Sequence, residues 1–120
     1  MWRATGSPVD RRLTRLVERG AELATTEPIE MELLAGAVGP NDELRIESAL
    51  ASCGLLPVAG TDDWRQAAAI YRSCRRAGIS PRRLIDCLIS AVAIRERAPL
   101  LAHDRDFELI ARHTPLELAG

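Results

Sequence analysis

Four acidic side chains lie where their surroundings are otherwise apolar, or directly after an apolar run. Glu32 interrupts a helix face of apolar and small residues, and Asp86 interrupts the apolar segment 84–89. Asp104 and Asp106 follow an apolar run that reads as a strand. Carboxylates from separate segments repel one another when a fold brings them together, and a divalent cation is the usual remedy. All-oxygen ligands select Mg²⁺ or Mn²⁺, and such an ion activates water and neutralises charge that grows on a phosphodiester.

Each of these acids also has a purely structural interpretation. Glu32 could lie at the rim of the core, and Asp86 could form an ordinary ion pair with Arg82 one helical turn earlier. Asp104 precedes a helical pattern and suits an N-cap, while Asp106 would be favoured by the helix dipole in the first turn. The cation hypothesis depends on the joint pattern, in which acids from three separated segments all lie near strand ends or early helical turns.

The elements that would position these acids alternate between short apolar strands and amphipathic helices. Helices are predicted after six cap-like residues, Ser7, Thr26, Asn41, Thr61, Ser80 and Asp104. Strands are predicted at 22–25, 55–58, 99–103 and 116–118. This alternation predicts an α/β fold with three layers, a parallel sheet flanked by helices. Ligands of such sheets gather at the carboxyl ends of the strands, where the following helices begin.

The apolar spacing also predicts which helical residues face the core. For the helix after Thr61, the expected inner face contains Trp64, Ala67, Ala68, Tyr71 and Cys74. For the helix after Ser80, the expected inner positions are 84, 85, 88, 89 and 92.

Composition limits the class of protein. The chain has 120 residues, enough for one domain, with 47% apolar and 28% charged residues. The net charge of −1 gives no global basic field, and no apolar stretch is long enough to predict a membrane span. The three cysteines form no C-x-x-C pair, and the first residues do not predict a leader sequence. We therefore expect reduced thiols in a cytoplasmic protein.

All 16 basic residues are arginines. Codon composition explains most of this bias, and solvated helix faces explain most positions. Five arginines nevertheless flank the 78–80 turn, close in sequence to Asp86, and would form a local basic rim able to hold a polyanion: Arg72, Arg75, Arg76, Arg82 and Arg83.

Four blocks in order, 26–36, 75–78, 84–93 and 103–107, resemble PIN-domain ribonucleases, and specifically the VapC toxins of toxin–antitoxin pairs. The resemblance implies a parallel sheet between helices and RNA cleavage that depends on Mg²⁺ or Mn²⁺. It implies metal ligands at Glu32, Asp86, Asp104 and Asp106, the first three of them also catalytic. It further implies a cognate VapB-type antitoxin and a homodimer.

The family pattern opens with an apolar strand that ends in an Asp, and residues 1–6 match the family only after that element. We therefore expect residues 1–120 to be a single PIN-like domain that lacks the first strand and its Asp. Two alternatives follow: a truncated remnant that binds an antitoxin without cleaving RNA, and a small α/β scaffold whose acids are ordinary surface residues.

Overall fold

The structure is a computed structural model that describes residues 23–101 and 104–119. Its elements in chain order are β1 (Ala24–Thr25), α1 (Glu27–Ala35), α2 (Gly39–Ala51), β2 (Gly54–Leu55), α3 (Gly60–Arg76), α4 (Leu84–Glu96) and α5 (Arg105–His113). The predicted helix after Ser7 and the predicted strand end at His103 lie outside the described residues.

Both strand pairings in the described part of the chain are parallel. β1 and β2 pair with Ala24 opposite Gly54 and Thr25 opposite Leu55. Leu100 bridges Leu118 in the same sense, and the Leu100 N–H donates to the Glu117 carbonyl at 2.8 Å. These pairings, with helices between the strands in sequence, confirm the predicted α/β class with a parallel sheet. The predicted strand at 55–58 is shorter and begins one residue earlier, at Gly54.

α4 is the central helix of the core. Every residue from Asp86 to Ala93 is buried, and the helix packs most extensively against α3. A helix that is apolar on all sides is buried on all sides. The largest fully buried side chains around it include Ile29, Phe107 and Ile110. Among the described residues, no helix is long and apolar enough to cross a membrane.

Two helices begin earlier than their cap-like residues predict. α2 begins at Gly39 and not after Asn41, and α3 begins at Gly60 and not after Thr61. In each case an aspartate of the first turns accepts a hydrogen bond from the backbone N–H that precedes the helix. Asp42 accepts from Val38 at 2.9 Å, and Asp63 accepts from Ala59 at 2.7 Å. These carboxylates satisfy amide groups that the helix itself leaves unpaired.

The predicted inner faces contain three errors, one of which is Ala68, an exposed residue. Trp64 is 60% exposed and Leu84 is 63% exposed, although both were expected to face the core. In α3 the buried positions are Asp63, Ala67, Ile70 and Cys74. The helix is rotated toward Asp63 because this carboxylate pairs with Arg95 of α4. Leu84 is the first residue of α4, which begins at that position and not directly after Ser80.

Candidate functional site

Glu32 lies in α1 and points toward the start of α4. Its side chain is 16% exposed, and a carboxylate oxygen forms an ion pair with the terminal nitrogen of Arg83. Arg83 is the N-cap residue of α4. Glu32 is therefore half-buried between two helices rather than on an open helix surface.

Asp86 lies in the first turn of α4 and is 1% exposed. Its backbone N–H donates to the Arg83 carbonyl at 3.1 Å, and its carbonyl accepts from the Ser90 hydroxyl at 2.8 Å. A buried carboxylate requires compensation, since its transfer from water into an apolar interior is costly. Its position at a helix N-terminus supplies part of that compensation, because the helix dipole favours an anion there.

Asp104 and Asp106 lie at the start of α5. Asp104 is its N-cap residue, as predicted, although its side chain forms no capping bond in the described structure. Asp106, in the first turn, is 6% exposed. One oxygen of Asp106 accepts two hydrogen bonds from Arg82, from its backbone N–H at 3.3 Å and from its Nε at 3.2 Å.

Three of the four predicted acids are thus gathered around the α3–α4 loop, residues 77–83, and the first turn of α4. Arg82 contacts Asp106 from α5, and Arg83 contacts Glu32 from α1. Burial raises the pKa of the Cys87 thiol to about 12, and further contributions come from Cys74 and from the negative charges of Asp86 and Asp106.

The donor set suits a hard divalent cation, because it consists of carboxylate oxygens from three separate elements. In the described part of the chain, however, no three His, Cys, Asp or Glu side chains are grouped as they would be around one ion. Glu32 and Asp106 each form an ion pair with a neighbouring arginine. A bound cation would take over the role that Arg83 has at Glu32.

The sequence did not identify these arginine partners. Spacing suggested that Arg82 would pair with Asp86 within one helix, yet Arg82 pairs with an acid 24 residues later. Arg82 precedes α4, so the i,i+4 rule for helical neighbours does not apply to it. The other predicted rim residues, Arg72, Arg75 and Arg76, are exposed at the end of α3. The Arg75 guanidinium lies over the Tyr71 ring, 5.8 Å from its centroid.

A cleft of about 730 Å³ lies elsewhere in the described structure, between α3, α4 and residues 113–115. Asp63, Arg95 and His113 line it, but none of the four predicted site acids does. Two of its charged lining residues, Asp63 and Arg95, pair with each other. The Asp63 carboxylate accepts hydrogen bonds from the Nε of Arg95 at 3.0 Å and from its terminal nitrogen at 3.1 Å.

Comparison with known proteins agrees with this architecture. A family model described as "PIN domain" matches residues 2–113. The chain is 44% identical to VapC ribonuclease Mb1587 of Mycobacterium bovis and to Ribonuclease VapC11 of Mycobacterium tuberculosis. Each match covers 99% of this chain and 90% of the relative. The resemblance predicted from four short blocks is therefore confirmed, and the chain belongs to the PIN-domain family.

Proposed function

We propose that this protein is the toxin of a toxin–antitoxin pair and that it hydrolyses RNA phosphodiester bonds with the help of Mg²⁺ or Mn²⁺. The observation that carries the proposal is the 44% identity, over 99% of the chain, to proteins named VapC ribonucleases. The placement of Glu32, Asp86 and Asp106 around one loop supports it independently, because it supplies carboxylates from three elements.

In this proposal Glu32, Asp86 and Asp104 would hold the cation, with Asp106 assisting. The bound cation would supply an activated water and neutralise charge on the phosphate under attack. Burial of Asp86 keeps its carboxylate fixed at the N-terminus of α4. Arg83 balances the charge of Glu32, and a bound cation would compete with Arg83 for this carboxylate. The exposed rim arginines would hold the flanking phosphates.

We further propose a VapB-type antitoxin as the partner, a homodimer as the assembly, and the cytoplasm as the compartment. The kinship with VapC proteins supports the first, and the homodimer is what the family resemblance implies. Three cysteines without a disulfide in the structure agree with a reducing compartment.

The test is an assay of the purified wild-type protein on a labelled single-stranded RNA and on DNA of the same sequence. We expect RNA cleavage with Mn²⁺ or Mg²⁺, none with EDTA, and little cleavage of the DNA. Absence of cleavage under all metal conditions, from a folded protein that still binds an antitoxin, would favour the non-catalytic remnant. Cleavage that persists in EDTA would contradict the metal dependence.

A further inference from the structure

Asp106 holds Arg82 through two different groups of the same residue. One carboxylate oxygen of Asp106 accepts from the backbone N–H and from the Nε of Arg82. The carboxylate is buried, whereas the Arg82 side chain is 76% exposed. These bonds use the backbone N–H and the Nε of Arg82, and most of the Arg82 side chain stays accessible to solvent.

The backbone on either side of Arg82 is also fixed. Pro81 is buried, and Arg83 has an extended conformation as the N-cap residue of α4. The guanidinium of Arg82 is therefore held at its inner edge while its outer edge faces solvent. An arginine restrained in this way loses less conformational entropy when it binds a phosphate than a freely moving one does.

The adjacent Arg83 has a different role. Its terminal nitrogen contacts Glu32, which we propose as a cation ligand, so a cation competes with Arg83 directly. Arg82 contacts Asp106. A cation would not compete with Arg82 for this carboxylate if Asp106 is not a cation ligand. A cation bound at Glu32 would therefore compete with Arg83 and leave the contact between Arg82 and Asp106 in place.

We propose that Asp106 is a positioning residue that presents Arg82 to an RNA phosphate beside the active site, and that its contribution to the site is this contact and not binding of the cation. This inference rests on the proposed ribonuclease function. In this inference Arg82 binds a phosphate, and the buried carboxylate of Asp106 serves to hold Arg82 and not to bind a metal ion.

The experiment compares Arg82→Gln, Asp106→Asn and the double variant with wild type. Arg45→Gln is the matched control, since Arg45 also pairs with an aspartate, Asp42, at 2.7 Å on the distant helix α2. Affinity for a fluorescein-labelled single-stranded RNA dodecamer is measured by anisotropy in EDTA over a range of KCl concentrations. Mn²⁺ affinity is measured separately by calorimetry without RNA, and urea denaturation verifies that each variant folds.

We expect Arg82→Gln and Asp106→Asn each to weaken RNA binding by about fivefold to tenfold, and to lower the salt slope of log K by about 0.7, the value for one phosphate on a single strand. The double variant should be no weaker than either single variant, because the two residues act as one unit. Mn²⁺ affinity should stay within about twofold of wild type, and Arg45→Gln should match wild type throughout.

A tenfold loss of Mn²⁺ affinity in Asp106→Asn would overturn the inference, as would additive losses of RNA affinity in the double variant. If Asp106→Asn does not fold, Asp106→Glu replaces it, since it keeps the charge but displaces the carboxylate, and the same results are expected. Unchanged RNA affinity in Arg82→Gln would overturn this inference but would leave the proposed ribonuclease function standing. A wild-type protein that binds neither Mn²⁺ nor RNA overturns the proposed function as well.

Discussion

Individual charged side chains in this protein are stabilised by partners that are distant in sequence. Asp63 is the clearest case, since its buried carboxylate accepts from the backbone of Ala59 and from two nitrogens of Arg95. Arg95 also donates to the Pro57 carbonyl at 2.8 Å. The hydrogen bonds that Arg95 donates to the Asp63 carboxylate raise the pKa of Arg95.

Asp63→Ala removes these bonds and leaves the Arg95 charge and the Ala59 N–H without their acceptor. Because Arg95 keeps some contact with solvent, we expect a loss of about 2 kcal/mol in the free energy of unfolding, below the value for a fully buried pair. Urea denaturation measures the loss. Asp62→Ala, which changes the exposed neighbour in the same helical turn, serves as the control and should cost about 0.5 kcal/mol or less. Equal losses in the two variants would contradict a special role for Asp63.

The cysteines give a second prediction at the scale of the residue. Burial raises the pKa of the Cys87 thiol to about 12, so at pH 8 only about one thiol in 10⁴ is ionised. Cys53 is only partly buried. We expect iodoacetamide to modify Cys53 of the folded protein well before Cys87, and to modify all three cysteines in urea. Peptide mass spectrometry follows the reaction, and equal native rates for Cys53 and Cys87 would contradict the buried position of Cys87.

At the scale of the element, α4 determines both the core and the site. Its first turn carries Asp86, and the following turns are buried on every side. Sequence periodicity located this helix and its inward residues Leu88, Ile89 and Val92 correctly. It failed at the helix start, because the exposed Leu84 is apolar and pattern alone cannot distinguish a first-turn residue from a core residue.

A pair of substitutions in α4 tests this description. Ile89→Ala should lower the free energy of unfolding by about 2–5 kcal/mol, since Ile89 is fully buried and its loss leaves a cavity. Leu84→Ala should change it by about 0.5 kcal/mol or less, because Leu84 is mostly exposed. Urea midpoints of both variants provide the comparison. A similar loss for Leu84→Ala would show that the inward face predicted from spacing was right.

At the scale of the whole molecule, the sequence was sufficient for the α/β class, the parallel pairing and the family. Each follows from local signals, namely apolar runs, residues that begin or end helices, and four short motifs in order. The charge partners could not be predicted in this way. The Arg83–Glu32, Arg82–Asp106 and Arg95–Asp63 pairs join residues from different elements, and only the packing of those elements brings them together.

The net charge of the chain is close to neutral, although basic and acidic side chains are unevenly distributed. The exposed Arg82 of the α3–α4 loop contacts the buried carboxylate of Asp106, and further exposed arginines lie at the end of α3. A basic surface next to an acidic centre suits a nuclease, since one part holds the polyanion while the other receives a cation.

The most direct test of the central claim is the rate of Mn²⁺-dependent RNA cleavage by Asp86→Asn compared with wild type. Asp62→Asn, an exposed aspartate in the first turn of α3, is the matched control. We expect Asp86→Asn to fold and to lose at least about 100-fold in cleavage rate, as removal of an electrostatic catalytic group does, while the control retains wild-type activity. Wild-type cleavage by a folded Asp86→Asn variant would contradict the account.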